Sequence, residues 1–184
     1  RLLEQVGDRA VVVLDEAYAE FCTQPSAAGL LDRYANLVVL RTLSKACAAA
    51  GLRCGVVLAQ PGLLGLLRRV IAPYPLPSPV TALALRMLQD DMLERQARLL
   101  EELAANKEAL LQTLAGRSFI REVIAGQANF VLIRADRAGD LLSYCASRGV
   151  ILRGFPADPL LQGYIRISVG SKDDLSALER ALDE

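Results

Sequence analysis

Val12-Val13-Leu14-Asp15-Glu16-Ala17-Tyr18 is the stretch on which the fold of this chain turns. Its apolar, β-branched run over 11–14 ends on an acid where a strand meets a loop. A short, continuously apolar run of this kind predicts a strand of a parallel sheet, buried with neighbours on both sides. Downstream, a second apolar run covers 36–41 and a third 54–59, and the intervening 42–53 is rich in small residues. Buried strands separated by loops and short helices predict an α/β sheet.

Beyond the third run the pattern changes. Residues 61–71 read as a helix, with Pro61 in its first turn, Leu63, Leu64, Leu66, Leu67 and Val70 recurring, and Arg68 and Arg69 near its end. Prolines at 73, 75, 77 and 79 exclude helix there and mark a boundary. From 80 to 116 the spacing of Leu93, Ala97, Leu100, Leu103, Leu110 and Leu114 is helical. Strands are expected over 119–123, 130–134, 150–153 and 164–169, with a helix over 138–147. A last helix follows Ser171 and Asp174, which have the spacing of a capping box. This tail reads as a small α+β domain.

Lys+Arg and Asp+Glu balance at 21 each, which gives no electrostatic case for nucleic acid or an anionic membrane. No apolar stretch approaches the length of a membrane span, and no targeting segment is visible. There is no histidine, so a Ser-His or Cys-His nucleophile is excluded. Cys22, Cys47, Cys54 and Cys145 lack metal-site or redox spacing; they read as small core residues in a reducing, cytoplasmic compartment. The sequence opens at Arg1 and its only methionines are Met87 and Met92, so the chain is expected to be a piece of a longer protein.

The chemistry-bearing residues cluster early. Lys45 is flanked by small residues at the mouth of an apolar strand, where partial desolvation makes an amine a better nucleophile toward a carbonyl. The hydroxyls of Thr42 and Ser44 and the guanidinium of Arg53 are suitable donors for a phosphate dianion. Asp15, ending a strand, can hold a pyridinium N–H, and Tyr18 can donate to a phenolate oxygen. Taken singly these are a loop lysine, a turn acid, a surface arginine and a core tyrosine. Their joint order and spacing give the set its meaning.

The motifs 12–18, Arg41-Thr42-Leu43-Ser44-Lys45-Ala46, Ala50-Gly51-Leu52-Arg53-Cys54-Gly55 and Ile165-Arg166-Ile167-Ser168-Val169-Gly170 resemble the class I/II aminotransferases of pyridoxal-phosphate (PLP) fold type I. Within them, Ala72-Pro73-Tyr74-Pro75-Leu76 and Gly149-Val150-Ile151-Leu152-Arg153 are similar to the histidinol-phosphate branch. The resemblance runs over essentially the whole chain and implies an α/β fold. Residues 1–80 would be the C-terminal part of the large, mainly parallel-sheet PLP-binding domain, and 81–184 the connecting helix and small domain. It implies pyridoxal 5′-phosphate as cofactor, Lys45 as its covalent anchor and proton shuttle, Asp15 at the ring nitrogen and Tyr18 at the phenolic oxygen. Thr42, Ser44 and Arg53 would bind the cofactor phosphate. Arg166 would grip the substrate carboxylate or phosphate, with Arg153 as a second phosphate contact.

The implied reaction is transamination between histidinol phosphate and 2-oxoglutarate, giving imidazole acetol phosphate and glutamate, in a homodimer without nucleic-acid or membrane partners. Cys47 and Ala49 depart from the bulkier residues usual there. Two other functions share these motifs: a threonine-phosphate decarboxylase-like lyase and the aminotransferase-like domain of a transcription regulator. A chain lacking the family's first half is expected to be inactive alone.

Overall fold

Leu37, Val38 and Val39 form the most deeply buried run in the first half of the chain. They lie on the central strand of a three-stranded sheet in this computed structural model, which describes residues 1–183. A short helix α1 (Leu2–Val6) precedes β1 (Val12–Asp15), which runs parallel to β2 (Leu37–Thr42). β3 (Gly55–Ala59) then returns antiparallel to β2, so the sheet is mixed. The return is closed by the loop itself: the Leu43 amide bonds the Cys54 carbonyl at 3.2 Å, and the Ala49 amide bonds the Leu43 carbonyl at 3.0 Å.

Neighbours on both sides of the first strand are not what the described residues provide. β1 is an edge, paired only with β2, and Val13 is 57% exposed. The fully buried position falls to β2, because only the central strand has partners on either side.

α2 (Pro61–Arg68) stops three residues short of the expected 71. The stretch 73–77 is non-helical as expected, but Pro79 lies in the first turn of α3 (Ser78–Met87), where a missing N–H costs no hydrogen bond. The single helix expected over 80–116 is two, α3 and α4 (Asp90–Leu114). Asp90 and Asp91 occupy the first turn of α4, where acids complement the helix dipole, and Arg86 bonds Asp91 at 2.6 Å across the break.

The chain divides into two compact units, Arg1–Ala97 and a second beginning at Arg98. The second holds a four-stranded antiparallel sheet of order β4-β5-β7-β6, formed by β4 (Ile120–Ile124), β5 (Phe130–Ala135), β6 (Arg153–Gly154) and β7 (Tyr164–Ser168). Strand alternation puts Val131, Ile133, Ile165 and Ile167 on one face. There they are buried with Leu110 and Leu114 of α4, Cys145 of α5 (Ala138–Ser147), and Leu178 and Leu182 of α6 (Lys172–Asp183). Each such side chain contributes about 1.5–3 kcal/mol by leaving water.

The expected strand over 150–153 is reduced to Arg153–Gly154. The Val150 amide is used instead to close α5, bonding the Cys145 carbonyl at 2.9 Å. The capping box before α6 is complete: the Asp174 amide bonds Ser171 Oγ at 3.2 Å, and the Ser171 amide bonds Asp174 Oδ2 at 2.8 Å. Of the four cysteines, Cys54 and Cys145 are core residues; Cys47 is half-buried and Cys22 exposed. Among the described residues no helix is long and apolar enough to cross a membrane.

Candidate functional site

In the first unit the ends of β1 and β2 lie side by side. Asp15 pairs in register with Leu40, and the Glu16 amide continues the ladder to the Leu40 carbonyl at 2.9 Å. Alternation therefore puts Asp15 on the sheet face of Leu40 and Thr42, and sends Glu16 and Arg41 to the other. Past Thr42 the backbone turns on that residue's side chain. The Ser44 amide donates to Thr42 Oγ1 at 3.1 Å, and Thr42 Oγ1 lies 2.9 Å from Ser44 Oγ.

This turn delivers Lys45, whose Nζ stands 5.1 Å from the centre of the Tyr18 ring. Tyr18 opens the 3-10 turn Ala19–Phe21 just after β1. The carboxylate of Asp15 is fixed locally, Oδ1 accepting the Ala17 amide at 2.9 Å. Arg53 has a left-handed backbone with φ 52°, and its Nη1 donates to the Ala50 carbonyl at 3.0 Å. Its neighbour Cys54 accepts from Thr42 Oγ1 at 3.3 Å, so the segment carrying Arg53 is stitched to the one carrying the two hydroxyls.

The structure brings some members of the sequence-derived set together and not others. Lys45 meets Tyr18, Thr42 meets Ser44, and Asp15 shares their end of the sheet. Arg53 is in the same loop with its side chain turned to Ala50. An exposed amine beside an aromatic face, paired hydroxyls, a guanidinium and a carboxylate at one sheet end is a donor set that fits PLP. The amine suits its carbonyl carbon, the hydroxyls and guanidinium its phosphate, and the acid its ring nitrogen.

The second unit holds the other pair. Arg166 on β7 and Arg153 on β6 are register partners, so both side chains leave the sheet on the same face, away from the core. Like charges directly opposite one another are destabilising, and neither forms an ion pair with an acid among the described residues. Each guanidinium lies against a ring instead, Arg166 at 5.3 Å from Phe130 and Arg153 at 5.6 Å from Phe155. Arg166 Nε is buried with no hydrogen-bond partner. A carboxylate or phosphate would relieve both the repulsion and the unmet donor.

One cluster escaped the reading from sequence. Arg41 donates through Nη1 to Glu16 Oε2 and through Nη2 to Glu20 Oε1, each at 2.9 Å. Glu16 also accepts from Ser26 Oγ at 2.6 Å and from the Ala27 amide at 2.7 Å. Burial alone would raise the Glu16 pKa, but the bonds from Ser26, Ala27 and Arg41 outweigh it and hold the carboxyl below its ordinary value. The Cys47 thiol is pushed up, by burial first and then by the nearby Glu20 charge. The available signal was Glu16 and Glu20, two acids one turn apart, opposite an arginine at the end of an apolar run.

The fold and this donor set define a class. The chain belongs to the aminotransferase class I and II family, whose profile matches residues 2–183; the family is PLP-dependent. Within it, the chain is 42% identical over 177 residues to the histidinol-phosphate aminotransferase of Aeromonas hydrophila, covering 96% of this chain and 50% of that protein. The crystal structure of the histidinol-phosphate aminotransferase from Clostridium acetobutylicum superposes with a TM-score of 0.87 at 21% identity, over 98% of this chain and 56% of that one. That from Sinorhizobium meliloti, in complex with pyridoxal-5′-phosphate, gives 0.77 at 24%, over 94% and 47%. At these identities the structures establish the fold. The chain spans about half the length of the curated relatives it matches.

Proposed function

We propose that the whole protein transfers an amino group from histidinol phosphate to 2-oxoglutarate, yielding imidazole acetol phosphate and glutamate. The observation that carries the substrate class is the Arg153–Arg166 register pair, two guanidinium groups on one sheet face without acid partners. Such a pair suits the phosphate of one substrate and the carboxylate of the other. The relatives in sequence carry the particular name.

PLP, when bound, supplies a cationic ring that takes up the electron pair released at the substrate's Cα. Lys45 anchors it, and its Nζ, once free, moves the proton that leaves Cα. Asp15 accepts the hydrogen bond of the ring N–H and keeps the ring cationic. Tyr18 donates to the phenolic oxygen, and Thr42, Ser44 and Arg53 bind the phosphate, Arg53 after leaving the Ala50 carbonyl. Arg166 holds the anionic group of either substrate, and Arg153 adds a contact to the phosphate.

Residues 1–80 belong on this reading to the large cofactor domain, and 81–184 to the connecting helix and small domain; the division at Ala97 then falls inside the connecting helix. The protein works as a cytoplasmic homodimer. Exposed Leu66, Val70, Leu83 and Leu85 along the stretch of α2 and α3 favour a covering partner, and four free thiols suit a reducing compartment.

The test is two steady-state assays of the whole protein: histidinol phosphate with 2-oxoglutarate, following glutamate, and threonine phosphate alone, following carbon dioxide. Glutamate without carbon dioxide is expected. Arg166→Gln should raise KM for both substrates by about 10- to 100-fold, the worth of a charge-assisted hydrogen bond. Carbon dioxide release from threonine phosphate, or no turnover of histidinol phosphate with 2-oxoglutarate, would overturn the assignment.

A further inference from the structure

Arg41 lies on β2 four residues before Lys45, yet the cofactor site as described gives it no part. Its side chain goes to the opposite sheet face from Thr42. There its guanidinium ties three segments that carry site residues. Nη1 bonds Glu16, the residue after Asp15; Nη2 bonds Glu20, in the turn that begins at Tyr18; and its own backbone leads to Thr42, Ser44 and Lys45. A third contact, Nη1 to Ser26 Oγ at 3.4 Å, joins the loop that also bonds Glu16. The Glu16 and Glu20 side chains are 11% and 23% exposed, and Glu20 Oε2 is buried without a hydrogen-bond partner. Both carboxylates therefore lean on one guanidinium for charge balance.

We propose that Arg41 is a positioning residue: by bridging Glu16 and Glu20 it holds the Asp15–Tyr18 turn in place beside Lys45. This rests on the reading of Asp15, Tyr18 and Lys45 as the cofactor site. Asp15 and Tyr18 act there through hydrogen bonds, whose strength falls steeply with misalignment. Without Arg41 two neighbouring carboxylates, mostly out of water, lose their counter-charge. They repel each other and the turn carrying Tyr18 moves off, so the cofactor's phenolic oxygen loses its donor and holds the neighbouring proton more tightly.

The experiment uses the whole protein loaded with PLP. The visible absorbance of the lysine-bound cofactor is titrated with pH, and cofactor affinity is measured by equilibrium dialysis. Arg41→Met should move the titration midpoint upward by about one pH unit or more and weaken PLP binding about 10-fold. Arg41→Lys, able to reach one carboxylate at a time, should give a smaller upward shift. Arg117→Met is the control for general destabilisation. Arg117 bonds the Thr113 and Leu182 carbonyls in the second unit, and its loss should lower the thermal midpoint without moving the absorbance midpoint. Should Arg41→Met fail to fold, Arg41→Lys carries the test, and its smaller upward shift is still expected. An unmoved midpoint with unchanged affinity, in whichever Arg41 variant folds, overturns the proposal. A wild-type protein whose cofactor is not on Lys45 overturns the underlying reading instead.

Discussion

The two units hold their sheets by different means. In the second, Val131, Ile133 and Ile165 are wholly buried beneath helices α4, α5 and α6, and the sheet register is fixed by which face is apolar. In the first, only β2 is buried to that degree, while Val11, Val13, Leu14, Val56 and Val57 stand exposed. Polar side chains reach across the first unit instead. Asn36 Nδ2 bonds the Gly7 and Ala10 carbonyls at 2.7 and 3.0 Å, Gln60 Nε2 bonds the Leu31 carbonyl at 2.7 Å, and Arg41 joins Glu16 to Glu20. A unit held by oil tolerates pH and is broken by cavities. A unit held by polar ties tolerates side-chain truncation on its open faces and is broken by charge.

Substitutions in the two units separate these two kinds of support. Ile165→Ala, in the core of the second unit, should lower stability by about 2–5 kcal/mol in denaturant unfolding, the cost of a large-to-small change in a packed interior. A cost below about 1 kcal/mol would mean that the core relaxes around the loss. Glu16→Gln should cost about 1–3 kcal/mol at neutral pH. Because the folded pKa of Glu16 is lowered, its contribution is complete above the ordinary carboxylate pKa and lost as pH falls through the folded value. Near-ultraviolet circular dichroism of the first unit should therefore show an acid transition in the parent that Glu16→Gln flattens. Ser171→Ala removes the capping hydroxyl of α6 and should cost about 1 kcal/mol. Val13→Ala on the open edge strand should change stability by no more than about 0.5 kcal/mol in the 184-residue chain. The same substitution costing several times more in the whole protein would show that this face is covered there.

How much of this could be read from residues alone varies with what decided each element. The helix Ala138–Ser147 and the capping box at Ser171 were legible because local signals govern them. The strand expected over 150–153 was not, because the Val150 amide is committed to the Cys145 carbonyl, a choice made by the end of a helix. The break at Leu88 and Gln89 hides inside a continuous apolar spacing; the adjacent Asp90-Asp91 marks the new helix start. Edge position was illegible for Val13, since an apolar run looks the same whether or not its neighbours are present. Lys45, Tyr18, Thr42 and Ser44 stand out by motif order, and the structure brings Lys45 to Tyr18 and Thr42 to Ser44. The role of Arg41 is not legible in its motif, because its partners Glu16 and Glu20 lie 25 and 21 residues away.

Chemical trapping locates the lysine that carries the cofactor. The whole protein would be saturated with PLP, reduced with borohydride, digested and mapped by mass spectrometry. The sequence here has three lysines, Lys45, Lys107 and Lys172. Loss of the visible band on reduction and a phosphopyridoxyl adduct on Lys45 alone are expected, with neither in Lys45→Ala. No reducible band, or an adduct on another lysine with Lys45 unmodified, would contradict the role of Lys45 as anchor.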